Sequence, residues 1–552
     1  MKKVILTKTI FSLLLIVMWN IESHAKSNAK EFRNTNSSSI EQEPGLNINQ
    51  KAFLYFNGSN DFGIANVFLE GLERTTIMGW ISLSPQFENY AFIMGENNFN
   101  ISCDANRKII VKCNSAFLTS SISLETSRWY HITASYDGSR VKFYLNGKLI
   151  NQQAATGLIG QTINSSFTIG KNPINNIHFF QGKMDEIRIF NENLSDSQIQ
   201  QMVYQEITNH NGMVKGTVIP KNIPGLNYNS LIRYYKMDLI QNNVVQNQTQ
   251  NNPNGAEGIQ LFNINSVGNQ EAPMPFLTKR NGDFPSAIHD DEHDIFGKDA
   301  ENYQWSIIQV RNDITQYANV SNFGLIVDLG KKITMLNDTK IENRGYLKLN
   351  GKIDLEGKSQ LIQTNESELD PTSTGTIERD QQGQSNQYNY NYWSSPVSTP
   401  NASTINHGYT VAGVMKDGSI MALPQNIAWV SGTNNPTTSN PITLSSYWIF
   451  KFQNLTPIYA NWASVGQNGL LLAGQGYTLK GSGAASSSQN FTFIGKPNNG
   501  QIVSTVSATN LNLSGNPYPS ALDADKFIQD NLATINGTLY FWEHFNTNNT
   551  HT

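Results

Sequence analysis

The sequence predicts a mainly β protein: an antiparallel β-sandwich over residues 52–206, then β-rich regions that include a short parallel β-solenoid. Three observations carry this. Apolar runs such as "AFLYFNG", "TTIMGWISLS" and "YAFIMGE" are short and separated by Gly, Asn and Ser, the punctuation of strands rather than helices. In "WYHITASYDGSRVKFYLNGKLINQ", Asp137-Gly138 and Asn146-Gly147 break the run into three strands, and both dipeptides favour the type I′ turns of hairpins. Further on, "YLKLNG", "KIDLEG" and "KSQLIQ" advance six residues at a time, with Leu347 and Leu349, Ile353 and Leu355, and Leu361 in matching places. That spacing suits stacked rungs, with antiparallel hairpins as the alternative that periodicity leaves open.

Taken in order, Lys2 and Lys3 precede the apolar run Ile10 to Trp19, and "SHA" ends at Ala25. Residues 1–25 therefore read as a secretory signal peptide, the run being too short to span a bilayer. Residues 26–51 lack periodicity and read as a flexible leader. Export gives meaning to Cys103 and Cys113, the two cysteines of the chain, in "FNISCDANRKIIVKC". Two strands flank a turn-forming "DANRK", and an oxidising compartment favours a disulfide between them. Two reduced thiols on strands out of register are the alternative.

Met184 to Phe190 alternates like a strand, which places Asp185, Ile187 and Ile189 on one face and Glu186 and Arg188 on the other. An unpaired buried carboxylate is expensive, so Asp185 needs backbone N–H groups, a cation or a basic side chain. Ser195, with Gln198 three residues on, caps a short helix to about Tyr204 and closes the sandwich at Glu206. Residues 207–300 read as an Asn/Gln-rich connector, 301–400 as the solenoid-like region, and 401–552 as a β-rich region incomplete at its C-terminus.

A formal net charge of -4, a pI near 6.2 and 15% charged residues leave no basic stripe for nucleic acid. After the signal peptide no stretch approaches transmembrane length, so the mature chain is expected to carry no membrane span.

The runs "FLYFNGSNDFGIA", "TTIMGWISL", "RWYHITASYDGSRVKFYLNGKLI" and "GKMDEIRIFNENLSDSQIQ" together resemble the laminin-G-like (LamG-like) jelly roll of the concanavalin A-like lectin/glucanase superfamily. "LIRYYKMD", Leu231 to Asp238, resembles the opening of another such module. The resemblance implies that Asp185 lies against the N-terminal strand. There it either accepts backbone hydrogen bonds or helps bind a structural calcium ion (Ca2+), with Asn57, Gly58 and Asp61 supplying further oxygens. Glycoside hydrolases of this fold carry two carboxylates on one strand, commonly as E-x-D-x-x-E, roughly 5 Å apart when retaining. No such motif occurs between Ala52 and Glu206, so no catalytic residue is expected there. The segments "GLIVDLGKKITM", "YLKLNGKIDLEGKSQL" and "LSGNPYPSALDADKFI" are similar to those of large secreted surface proteins of Flavobacterium-type bacteria.

Sugar binding would need exposed rings beside amides. Trp80, Tyr90, Trp129, Tyr130, Tyr136 and Phe180 are the aromatic candidates, most of them inside strands and so expected in the core. Asn97, Asn98, Asn172, Asn175 and Asn176 are better placed, on loops. "HDDEHD", His289 to Asp294, holds metal-ligand types but reads as a solvated loop, and "ESELD", Glu366 to Asp370, as a solvated solenoid edge. The expectation is a secreted or cell-surface binding and adhesion protein, not an enzyme, whose partner is an extracellular polysaccharide or a matrix or cell-surface protein. An accessory part of a polysaccharide-degrading enzyme and a structural matrix protein without a ligand are the alternatives.

Overall fold

A computed structural model describes residues 45–249, 254–289, 302–434 and 440–541. Its first part is a sandwich of two antiparallel sheets. Among the described residues one sheet has ten strands and the other eight. In the first, Phe62–Ala65, Phe167–Ile169, Ala91–Glu96, Phe99–Cys103, Lys108–Cys113 and Ala116–Ser123 follow one another. The second runs from Lys148–Ala154 through Arg140–Leu145, Trp129–Tyr136 and Thr75–Leu83 to Gln181–Phe190 and Ala52–Asn57. Leu54, Phe56, Ile77, Ile81, Phe99 and Ile132 fill the space between the sheets, each fully buried. Burial of one such side chain is worth about 1.5–3 kcal/mol.

The two turns differ. Asn146 and Gly147 both take left-handed φ values, 50° and 80°, as a two-residue type I′ hairpin requires. At Asp137-Gly138 only Gly138 is left-handed, and the loop includes Ser139, because the Asp137 carboxylate accepts the N–H groups of Ser139 and Arg140. Ser195 and Gln198 form the expected capping box on the helix Asp196–Val203.

The sandwich does not close at Glu206, because described strands between Leu231 and Asn269, inside the expected connector 207–300, join its sheets. Leu231–Tyr235 pairs with Gln181–Phe190, Val267–Asn269 with Ala52–Asn57, and Asn254–Phe262 with Phe62–Ala65. "LIRYYKMD" therefore opens no second module; it completes the same sheet, since backbone pairing tolerates the polar side chains around it. Between these pieces, Ile207–His210, Met213–Gly216 and Asn222–Asn227 make a small antiparallel sheet of their own.

The solenoid has about four turns. One wall stacks Ile307–Val310, Val320–Val327 and Lys340–Leu349 in parallel; the other stacks Ile314–Gln316, Lys332–Met335, Lys352–Leu355 and Thr376–Gln384. Ile333 lies beside Ile353, a step of 20 residues. The six-residue step seen in the sequence is thus the distance between successive strands of the chain, not between rungs. Leu347 and Leu349 lie on one wall, Ile353 and Leu355 on the other, and Leu361 begins the next rung against Ile341. The second wall continues into the C-terminal region, where Thr376–Gln384 pairs antiparallel with Ser488–Pro497.

The outer face of the second sandwich sheet is covered. Phe53, Met78, Trp80, Trp129 and Tyr144 share one core with Ile199, Met202 and Val203 of the helix and with Ile307, Leu325 and Leu347 of the solenoid.

Candidate functional site

The strand Gln181–Phe190 holds the first candidate. On its neighbour Thr75–Leu83, Asp185 lies opposite Trp80 while Arg188 lies opposite Met78, so three steps on one strand match two on the other. The extra residue is a bulge at Glu186, which takes φ 54°. The bulge reverses the expected alternation. Met184, Ile187 and Ile189 face the sandwich interior, whereas Asp185 shares the outer face of Trp80 with Arg188.

Asp185 and Glu186 consequently do not face opposite sides. Glu186 accepts from Arg188 (Nη2, 2.6 Å; Nε, 3.2 Å) and from the Tyr234 hydroxyl at 2.7 Å. Arg188 also donates to the carbonyls of Met202 and Gln205, fastening the end of the capped helix. Asp185 is fully buried without a well-formed hydrogen bond to either oxygen. Burial, reinforced by the neighbouring Glu186 charge, holds its carboxyl well above the usual range. The seam lies beneath the helix, closed to any substrate.

The residues expected to hold calcium are not brought together. Gln181 is opposite Asn57, and Asp185 is four residues further along, so roughly 13 Å of strand separates Asp185 from Asn57. Ligands of one calcium ion lie within about 5 Å of one another. Asn57 and Asp61 instead close their own loop: the Asn57 Oδ1 accepts the N–H groups of Ser59 (2.8 Å) and Asn60 (3.1 Å), and Asp61 accepts that of Asn57 at 2.9 Å. Among the described residues no group of three or more His, Cys, Asp or Glu could hold a metal.

Nor do the cysteines form a disulfide. Cys103 lies opposite Ile109, and Cys113 opposite Phe99, so the thiols occupy opposite ends of a hairpin. Four residues of register, about 13 Å, exceed the reach of the bond. Both are free and buried, and burial pushes the Cys113 thiol up to about 12 and that of Cys103 higher still.

What the structure does bring together is a patch of rings and amides. Phe62 stacks on Phe262 with centroids 4.8 Å apart and planes 16° apart, and Lys171 Nζ lies 4.1 Å above the Phe62 ring. Phe262 remains 40% exposed. Beside them runs the loop 171–179, folded by Asn172, whose Oδ1 accepts the N–H groups of Ile174 and Asn175. Asn176 accepts from Lys171 at 3.4 Å. His178 meets Tyr90 edge-on at 4.8 Å, and the Tyr90 hydroxyl donates to Ser102. Aromatic faces flanked by amides and a single ammonium suit a neutral polyhydroxylated ligand.

Of the residues expected here, Tyr90, Asn172, Asn175 and Asn176 take part. Trp80, Trp129, Tyr130, Tyr136 and Phe180 are buried. Asn97 and Asn98 bind Thr162, and Asn98 also binds the Gly160 carbonyl. Phe62 is part of a motif visible in the sequence, but nothing local marks Phe262 as its partner. Of "HDDEHD", residues 290–294 lie outside the described residues. "ESELD" is tied down rather than merely solvated: Glu368 pairs with Lys221 at 3.0 Å, and Asp370 accepts from Tyr346, which helps hold its carboxyl down at about 2 against burial.

Residues 56–200 match the Laminin_G_3 family model, described as concanavalin A-like lectin/glucanases superfamily. The sandwich is a concanavalin A-like domain. A second model, a domain of unknown function (DUF8693), matches residues 414–552. No curated protein matches the chain. Solved structures similar to the chain include a candidate carbohydrate binding protein from Bacteroides ovatus, 21% identical with a TM-score of 0.30, covering 41% of this chain and 62% of that one. Another is a heptameric SAP-like pentraxin from Limulus polyphemus (17% identical, TM-score 0.23, 27% and 80% covered). A third is domain 4 of AbnA, a GH43 extracellular arabinanase from Geobacillus stearothermophilus, in complex with arabinotriose (23%, 0.23, 30% and 84%). The chain thus spans about three fifths of the length of the Bacteroides protein. The concanavalin A-like domain extends beyond the matched residues, since strands as late as Asn269 complete its sheets. Among the described residues no helix is long and apolar enough to cross a membrane.

Proposed function

We propose that the protein is an exported binding protein whose concanavalin A-like domain holds a neutral extracellular glycan, without catalysis, on the patch around Phe62 and Phe262. The stacked pair beside Lys171 and the Asn172–Asn176 amides carries this reading. The Phe262 ring offers an apolar face to the C–H side of a sugar, while amide and ammonium groups meet its hydroxyls. The buried carboxylates at the bulge position the helix and lack access to a glycosidic bond.

The test is retention of the mature chain on insoluble polysaccharides, with reducing-sugar release measured in parallel. Residues 45–207 alone would lack the strands that complete both sheets, so the whole chain is used. Saturable retention without product, weakened by Phe262→Ala, is expected. Product release would make the protein an enzyme, and undiminished retention of Phe262→Ala would remove the patch from the reading.

A further inference from the structure

A second set of rings lies outside the sandwich. The strand Tyr390–Trp393 pairs antiparallel with Tyr477–Lys480. Alternation turns Trp393 inward, 7% exposed, against Phe491 and Phe493, and turns Tyr390 and Tyr392 to the other side. The turn Ser446–Trp448, capped by the Ser445 hydroxyl, delivers Trp448 edge-on to Tyr390 at 5.9 Å and Tyr447 at 4.8 Å from Trp448. Trp462 meets Tyr392 at 6.4 Å. The turn Tyr459–Asn461 directly precedes Trp462, and burial pushes the Tyr390 phenol up to about 12.

These rings do not close a core. Tyr447 is 49% and Tyr459 90% exposed, whereas Tyr409 and Tyr477 nearby are fully buried. An exposed aromatic cluster of this kind marks an interaction surface. Its chemistry narrows the partner. Lys480, the cation seated on these rings, is held 3.5 Å over Trp448 and 5.2 Å from the Tyr390 centroid, so its charge already has a partner and suits no phosphate backbone. Tyr390 and Tyr392 are two residues apart on one strand face, about 7 Å, forming an open row rather than the enclosed pocket of a protein hot spot. The hydroxyl-bearing rings match the alternating C–H and O–H surface of pyranose units.

We propose that Tyr390, Tyr392, Tyr447, Trp448, Tyr459 and Trp462 form a second glycan-binding platform, which takes an extended neutral polysaccharide independently of the sandwich patch.

The experiment is titration of the full mature chain with soluble hydroxyethylcellulose, xyloglucan, galactomannan and arabinan, read by tryptophan emission and by retarded migration in polysaccharide-containing gels. Trp448 and Trp462 report from within the platform, and the sandwich patch contains no tryptophan. At least one polymer is expected to shift the emission saturably. Tyr447→Ala with Tyr459→Ala should weaken that binding roughly tenfold, the scale of two lost aromatic contacts. Both side chains are exposed, so the melting temperature of the double variant should stay unchanged. Phe262→Ala should leave the emission response intact, which separates this platform from the sandwich patch. The proposal is overturned if none of the four polymers changes the emission, if the double variant binds like the wild type, or if the rings prove to mediate self-association instead.

Discussion

The sandwich and the solenoid solve the same problem over different lengths of chain. In the solenoid each strand pairs with one some 20 residues away, as Ile333 does with Ile353. In the sandwich, Phe62–Ala65 pairs with Asn254–Phe262, roughly two hundred residues on. Stacked rungs depend on nearest neighbours, so damage to one is felt locally. The sandwich depends on distant segments arriving together, and it carries a buried ionic seam where three of them meet. The sandwich is therefore the more sensitive half: Arg188 there links the bulge, the helix and Tyr234.

The largest loss is expected of Arg188→Met. It leaves the Glu186 carboxylate buried with Tyr234 as its remaining side-chain partner and frees the carbonyls of Met202 in the helix and Gln205 just beyond it. A loss of about 3–5 kcal/mol in denaturant unfolding is expected. A smaller loss would mean that water reaches the seam. The solenoid counterpart is Asn343, buried and donating to Asn322 at 2.8 Å and to the Tyr346 carbonyl at 2.8 Å. Asn343→Ala should cost about 1–3 kcal/mol, with hydrogen exchange rising in the adjoining rungs only. Exchange rising throughout the sandwich as well would erase the contrast.

A third effect is pH-dependent. Burial raises the Asp354 carboxyl from 3.8 to about 6 despite Lys332 at 2.7 Å. The folded chain therefore holds this proton more tightly than the unfolded one. The stability it contributes is complete below 3.8 and is lost as pH rises through about 6. Between pH 5 and 8, Asp354→Asn should gain about 1 kcal/mol relative to the wild type. An identical pH dependence of the two proteins would show that Lys332 fully offsets burial. The smallest effect expected is none: a reducing agent should leave the melting temperature unchanged, and thiol labelling should find two free cysteines only after unfolding. A mass decrease of two hydrogens in the purified chain would contradict this register.

Much of the fold was legible because its signals are local. Asn146-Gly147 names its own turn, and Ser195 with Gln198 names its own helix start. The bulge at Glu186 has no such signal. A left-handed glutamate is fixed by Arg188 and Tyr234 from outside, and without it the strand's alternation reads one residue out of phase. The Asn/Gln-rich stretch looked like a connector because pairing of backbone groups leaves little trace in side chains. Six-residue steps in the solenoid were real, yet a sequence does not say whether a step crosses a rung or a wall. The candidate site divided in the same way: the Asn172–Asn176 loop announces itself, while Phe262 reaches Phe62 only through a pairing that no neighbouring residue encodes.

The strand Gln181–Phe190 is completed by a segment that comes later in the chain. Its first half is flanked by Ala52–Asn57 and its second half by Leu231–Tyr235. A chain made N-terminus first therefore has half of this edge bare until Tyr235 has emerged, and the edge of Phe62–Ala65 bare until Phe262 has followed. Bare edges are where strands of separate molecules join. The order of synthesis thus sets a vulnerable interval for every newborn copy, one that a chaperone holding residues 62–190 would cover and that a stall in translation before Phe262 would prolong.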